Sequence, residues 1–376
     1  MHLPRSIFVL LAILLALAPT PALAAATSEV GEFIFAPGST SFPSSHASTI
    51  VELKDGALLS AWFGGSGEGK PDVAIWSSRH TAGGWSRPTE LAREPNIPCW
   101  NPVLFHTTDG KLWLYYKFGP NPAEWTAGRR FSTNEGHTWS PTEHLPAGIL
   151  GPVRAKPLVL AEGGPDGTIV SGSSIESYRS WAAWIERSTD NGKTWSKLGP
   201  LVPALPQGAE PAPGKTSNKT PKSAPAPSYP NFGIIQPSVV ALSPKHLRLY
   251  ARSTEQIAHI CIADSYDAGL TWTQPHPIDL PNPNSGIDAV ALKDSRPEDT
   301  RIVLIYNDTP HGRTPLKLAI STDGEHFHNF LTLESQPGEF SYPAIIQTRS
   351  GDLEITYTYN RQTIRHVHIP HVDLPK

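Results

Sequence analysis

Cysteine is scarce in this 376-residue chain: there are two, Cys99 and Cys261, far apart in sequence. Two thiols cannot build a disulfide framework, so the fold must rest on a hydrophobic core, and two separately buried thiols are expected. Charge is scarce as well. Only 17% of residues are charged and the net charge is -3, which leaves no electrostatic ground for nucleic acid or an anionic membrane surface as partner. The helix-rich composition of a coiled coil or helical bundle is missing too, since 39 Pro and 30 Gly interrupt the chain. What is plentiful is aromatic: 11 Trp, 12 Phe and 10 Tyr supply enough apolar surface for a sizeable core and exclude global disorder.

One long apolar run exists, residues 7–18, preceded by His2 and Arg5 and followed by Pro19, Pro21 and the small-x-small triplet Ala22-Leu23-Ala24. It is shorter than the roughly 20 residues needed to cross a bilayer. The pattern predicts a secretory signal over residues 1–24 and an exported chain from residue 25 to 376, periplasmic or extracellular, with no stable membrane insertion.

Self-similarity organises the rest. Residues 188–195 read STDNGKTW and fit S-x-D-x-G-x-x-W; residues 132–139 (STNEGHTW) and 265–272 (SYDAGLTW) match well, 321–327 (STDGEHF) is shortened, and 78–85 (SRHTAGGW) is degraded. The closing aromatics fall at 85, 139, 195, 272 and 327, so successive spacings are 54, 56, 77 and 55. The excess of about 22 coincides with residues 203–230, a Pro, Ala, Ser and Lys-rich stretch that cannot bury a core and reads as a disordered insertion. The motif is a turn fastener: Ser and Asp bond turn amides, Gly supplies a positive φ, and Trp packs the turn down. Copies spread around a fold cannot all line one site, which argues against catalysis by these Asp residues.

Between the turns run alternating segments such as ALLSAWF (57–63), KLWLYYKF (111–118), HLRLYAR (246–252) and RIVLIY (301–306). About four short strands per repeat predict an all-β, six-bladed β-propeller as a single domain. The sixth unit, residues 340–369, has strands and no turn motif; residues 32–36 are expected to supply its outer strand and close the ring.

Five such turns in an exported six-unit β chain resemble the Asp boxes of the sialidase superfamily, and the resemblance covers essentially the whole chain from residue 25. It implies a site in which three arginines hold a substrate carboxylate, a Tyr tuned by a Glu is the nucleophile, and an Asp is the acid/base. Arg252, in LYARS, looks like the second arginine; Arg313, eight residues before Ser321, looks like the third; Tyr342, in FSYPA, looks like the nucleophile. The chain departs elsewhere. His46 stands where the first arginine belongs, Gln236 where the Glu belongs, and Glu68 or Asp72, in the Gly-rich loop 64–72, must stand in as acid/base. This pattern is more similar to the sialidase-like branch of Asp-box proteins.

Strand arithmetic points to the same face without the family. If first strands begin and second strands end on one rim, His46, Asn101, Arg154, Lys156, Gln236, Asp288 and Tyr342 meet Glu68, Asp72, Lys117, Glu176, Arg252, Asn307, Arg313, Tyr359 and Arg361 at one mouth, with the fastening turns on the opposite rim. Lys117, Lys156, Glu176 and Asp288 join the two arginines as substrate-binding candidates, and Asp288 and Glu176 are expected to pair with Lys156, Arg154 or Lys117, with either as an alternative acid. No His or Cys cluster has metal-ligand spacing, and no cofactor is expected. The function expected is hydrolysis of a terminal acidic sugar, sialic acid or a relative, from a glycan by a monomeric enzyme. The alternatives are a lyase on uronic-acid glycans with His46 or Tyr342 as base, and a non-catalytic glycan-binding propeller.

Overall fold

The computed structural model describes residues 31–160, 167–177, 180–204, 232–293 and 300–375. The leader at 1–24 and nearly all of the Pro-rich stretch lie outside these residues. The predicted propeller is found: six antiparallel sheets follow one another along the chain. Inner to outer, blade 1 is Ser44–Glu52, Leu58–Gly65 and Ala74–Thr81, edged by Gly84–Trp85 and Thr89–Ala92; blade 2 is Cys99–His106, Leu112–Phe118, Thr126–Ser132 and Glu143–His144. Blade 3 is Leu158–Leu160, Thr168–Glu176, Trp181–Ser188 and Ser196–Leu201, and blade 4 is Ile234–Ala241, Leu247–Ser253, His259–Ser265 and His276–Pro281. Blade 5 is Asp288–Ala291, Ile302–Asn307, Leu316–Ser321 and His328–Glu334. Blade 6 takes Phe340–Gln347, Leu353–Tyr359 and Thr363–Ile369 from the end of the chain and Gly31–Phe33 from its start, with Glu32 opposite His366. The ring closes as the sequence predicts, one residue earlier than expected.

The core lies in the seams between blades. Strand alternation explains it: Val303 and Ile305 pack toward blade 6 with Ile345 and Ile355, whereas Ile302, Leu304 and Tyr306 pack toward blade 4 with Tyr250 and Ile262. Both faces of a middle strand are buried, so its alternation is apolar on both sides. Cys99 and Cys261 are buried, separate free thiols, pushed up to about 12 by desolvation.

Each good turn motif is bonded as its residue types require. In blade 3, Ser188 Oγ donates to Asp190 Oδ1 (2.7 Å) and accepts from Gly192 N (2.8 Å), Thr194 N donates to Asp190 Oδ1 (2.9 Å), and Trp195 Nε1 donates to Gly192 O (3.0 Å). Gly192 has a φ of 83°, open to glycine without penalty. The turns also fasten the ring. An arginine of one blade donates to a carbonyl in the next blade's turn: Arg79 to Glu135 O, Arg129 to Gly192 O, Arg187 to Ala268 O (3.4 Å) and Arg248 to Asp323 O (3.0 Å). Blade 1's degraded motif is a tight hairpin whose Trp85 Nε1 donates to Glu32 Oε1 (3.1 Å) on the closing strand.

Candidate functional site

Four inner strands carry the same irregularity at the mouth. Ala47, Asn101, Gln236 and Tyr342 have φ of 55°, 37°, 55° and 52°, and each sits where the ladder register shifts. Bulges re-aim side chains, and non-Gly residues held in this region mark positions that the surrounding structure over-determines. In three of the four the next residue is proline, Pro102, Pro237 and Pro343, whose missing N–H suits the break in the ladder. In blade 1 the bulge residue is Ala47, one beyond the His46 that strand arithmetic places there.

The bulge of blade 6 brings Tyr342 into a ring of cations. Arg252 Nη1 donates to Tyr342 Oη (2.6 Å) and to Gln236 Oε1 (3.2 Å), and Arg252 Nε donates to Asn284 Oδ1 (2.7 Å). The guanidinium carbons of Arg154, Arg252 and Arg313 lie 5.2, 5.6 and 5.5 Å from the centroid of the Tyr342 ring, and the His46 ring lies 4.3 Å from it. So Tyr342, Arg252, Arg313, Gln236 and His46, dispersed over 297 positions of sequence, meet at one point.

Several polar atoms here are buried without a partner: both ring nitrogens of His46, Ser45 Oγ, Ser48 Oγ, Arg154 Nε, Glu176 Oε1 and Arg313 Nη1. Orphaned buried polar groups are costly, and their concentration at the mouth marks a place for a polar ligand. Desolvation, with the charges of Arg361, Arg313, Arg154 and Arg252, holds the His46 imidazole well below its usual range, so it is neutral. Burial likewise lowers Arg154 and Arg313. Burial raises the Glu176 carboxyl to about 7, against the opposing influence of Arg252 and a Gln236 hydrogen bond.

The remaining sequence candidates divide. Glu68 is at the mouth and pairs with Arg361, which also grips Glu339 through Nε (2.8 and 2.9 Å). Asp72 turns away: its oxygens accept from Ser66 N (2.8 Å) and Ser66 Oγ (2.7 Å), and those hydrogen bonds lower its pKa. Lys156 and Asp288 pair with each other (3.0 Å), as expected, but as an axial strut: Asp288 also accepts from Ser238 Oγ (2.7 Å) and Ile345 N (3.0 Å). Arg154 crosses the axis to Ser48 O (3.4 Å) and Pro343 O. Lys117 is fully buried, donates to Pro152 O (2.7 Å), and is lowered by desolvation to about 7. Sequence reasoning missed Asn284 and Glu339, which lie in loops without periodicity, whereas strand arithmetic places Arg361 at the mouth. The recurrent polar-Pro dipeptides in inner strands were a legible signal for the bulges. Among the described residues no group of His, Cys, Asp and Glu is placed to hold a metal, and no helix is long and apolar enough to cross a membrane.

Solved structures share this architecture. NanB sialidase from Streptococcus pneumoniae aligns with a TM-score of 0.69 at 13% identity, covering 93% of this chain and 72% of that one. The intramolecular trans-sialidase from Ruminococcus gnavus aligns at 0.67 and 12% identity, covering 91% and 98%. A protein of unknown function from Dyadobacter fermentans aligns at 0.65 and 17% identity, covering 87% and 94%. At these identities the likeness is one of fold. No curated protein matches the chain. The BNR repeat-like domain model matches residues 56–355, which takes in all five turn motifs, Arg252, Arg313 and Tyr342; the chain belongs to the BNR repeat-like domain family.

Proposed function

We propose that this protein is an exported, sialidase-like exo-glycosidase that hydrolyses a terminal acidic sugar, sialic acid or a relative, from a glycan. The observation that carries the reading is the Tyr342 hydroxyl held by Arg252 among three guanidiniums, with Arg313 Nη1 buried and unpaired beside it. Guanidinium forks are natural partners of a carboxylate. A substrate carboxylate on Arg252 and Arg313 brings the adjoining anomeric carbon over Tyr342 Oη, and a phenol approaches such a centre with less repulsion than a carboxylate would. Neutral His46 in place of a third clamp arginine favours a carboxylate held by two forks, with the His46 ring on the third side packed against Phe63 and Tyr342.

The test is a screen of the purified protein against 4-methylumbelliferyl glycosides of sialic acid, other ulosonic acids and uronic acids. Turnover of one acidic series and none of neutral hexosides is expected. Tyr342→Phe should then lower kcat by several orders of magnitude while ligand affinity stays within about tenfold, about 1.4 kcal/mol. An unsaturated, ultraviolet-absorbing product would make the enzyme a lyase; binding without turnover would make it a lectin.

A further inference from the structure

We propose that Glu176, at the end of the second strand of blade 3, is the proton donor of this site. The inference rests on the glycosidase reading and changes the residue that performs its acid step. A general acid needs a carboxyl that holds its proton near neutrality and an oxygen free to donate it. The other carboxyls at the mouth and axis are acceptors already in use. Asp72 is bonded through both oxygens to Ser66. Glu68 is paired with Arg361, and Glu339 takes both Arg361 Nε and Ser341 Oγ (3.1 Å). Asp288 is engaged through both oxygens by Lys156, Ser238, Ala289 N and Ile345 N.

Glu176 differs in each respect. Its Oε1 is shut from solvent and has no hydrogen-bond partner, and the residue lies opposite Trp181 in the ladder, against whose ring, at 5.8 Å, sits the Arg252 guanidinium that donates to Gln236 and Tyr342. The charges that act on it are Arg252, which favours ionisation, and Glu68, which opposes it; burial dominates both. The step balances with water as co-substrate. The Glu176 proton passes to the glycosidic oxygen, the bond from that oxygen to the anomeric carbon breaks with its electron pair on the departing alcohol, and a lone pair of Tyr342 Oη, which keeps its proton, faces the electron-poor carbon and stabilises it without bonding to it. Water then adds to the carbon and gives a proton to the Glu176 carboxylate, which restores the acid.

Leaving-group dependence tests this, because an aryl alcohol departs with little protonation and an alkyl alcohol does not. With 4-methylumbelliferyl and benzyl glycosides of N-acetylneuraminic acid and of glucuronic acid as probes, Glu176→Gln should lower kcat about 1,000-fold or more on the benzyl substrate and about 30-fold or less on the aryl one. It should also abolish the decline of wild-type kcat above about pH 7, and Glu176→Asp should restore part of the benzyl activity. Equal losses on both substrates, or the selective benzyl loss arising in Asp72→Asn or Glu68→Gln instead, overturn the assignment while leaving the glycosidase reading intact. A wild type that cleaves neither series overturns both.

Discussion

Tyr342 shows how much at this site depends on single side chains. Its backbone is held at positive φ, its hydroxyl is held by Arg252, and its ring is flanked by Arg313. Arg313→Ala should leave the melting temperature within a few degrees and weaken an acidic ligand about 100-fold or more, and Arg313→Lys should fall between, since Lys keeps charge and loses the fork. Calorimetric titration with an acidic sugar, beside a thermal melt, separates this from a structural arginine, whose loss would show in the melt alone. Lys117 gives a contrasting residue-scale case. Its folded pKa of about 7 lies below the ordinary lysine value, so between pH 7 and 10 the unfolded chain binds the extra proton and stability rises with pH. Lys117→Met should remove that rise, read as the difference between urea midpoints at pH 7 and pH 10. An unchanged pH slope would show that Lys117 is charged in the fold.

At the scale of elements, the turn motif is both a local clasp and a joint between blades. Natural variation within the chain already tests its chemistry: Asn134 makes the bonds to Ser132 Oγ (2.9 Å) and Thr138 N (2.9 Å) that Asp residues make elsewhere. Asp267→Asn should therefore change stability by less than about 0.5 kcal/mol at neutral pH, and Asp267→Ala by about 1–2 kcal/mol, because the amides of Leu270 and Thr271 lose their acceptor. The bonds from Thr271 hold Asp267 down to about 2. A depressed carboxyl contributes stability above its unfolded pKa that is lost as pH falls toward the folded value. The Asn variant should accordingly unfold less readily than wild type between pH 4 and 2, as followed by circular dichroism. These turns sit on the rim away from the mouth because third strands end there, and the straps reach them from strand residues at that rim, such as Arg248 at the start of the second strand of blade 4.

For the whole molecule, the seam between blades 6 and 1 closes the ring. Its arginine, Arg349 of blade 6, donates to Leu53 O (2.9 Å) and Lys54 O (3.1 Å) of blade 1 and not to a turn motif. Beside it Glu32 meets Trp85 Nε1, His80 (3.2 Å) and His366 (3.3 Å), while Glu354 meets His366 (2.7 Å) and His368 (2.8 Å), around a cavity of about 450 Å³. Removing residues 1–33 should lower stability by several kcal/mol, on the order of 3, because it exposes an unpaired edge of Thr363–Ile369 as well as deleting contacts. Thermal melting and proteolytic cleavage within residues 363–369 would show it, and an unaltered melt would mean that the ring holds without its closing strand.

The number of blades and the strand alternation were legible in the amino-acid order because their causes are local: every bond of a turn motif lies within eight residues, and a strand's alternation is a period of two. Closure by the amino-terminal segment is long-range and was legible only by counting, since the sixth unit lacks an outer strand of its own. Tyr342, Arg252 and Arg313 lie 29 to 90 positions apart; resemblance and strand arithmetic place them at one mouth, but which of them touch was not legible. Tertiary structure alone decided the rest. Asp72 and Glu68 share one Gly-rich loop and nearly the same sequence context, yet Ser66 captures the first and Arg361, from the far end of the chain, captures the second. Glu176 has no local mark of an acid; its environment is made by Gln236 and Arg252 across a blade seam and by the desolvation that only the closed ring produces. A propeller converts short-range order into blades, and its long-range closure determines which polar side chains lose their water.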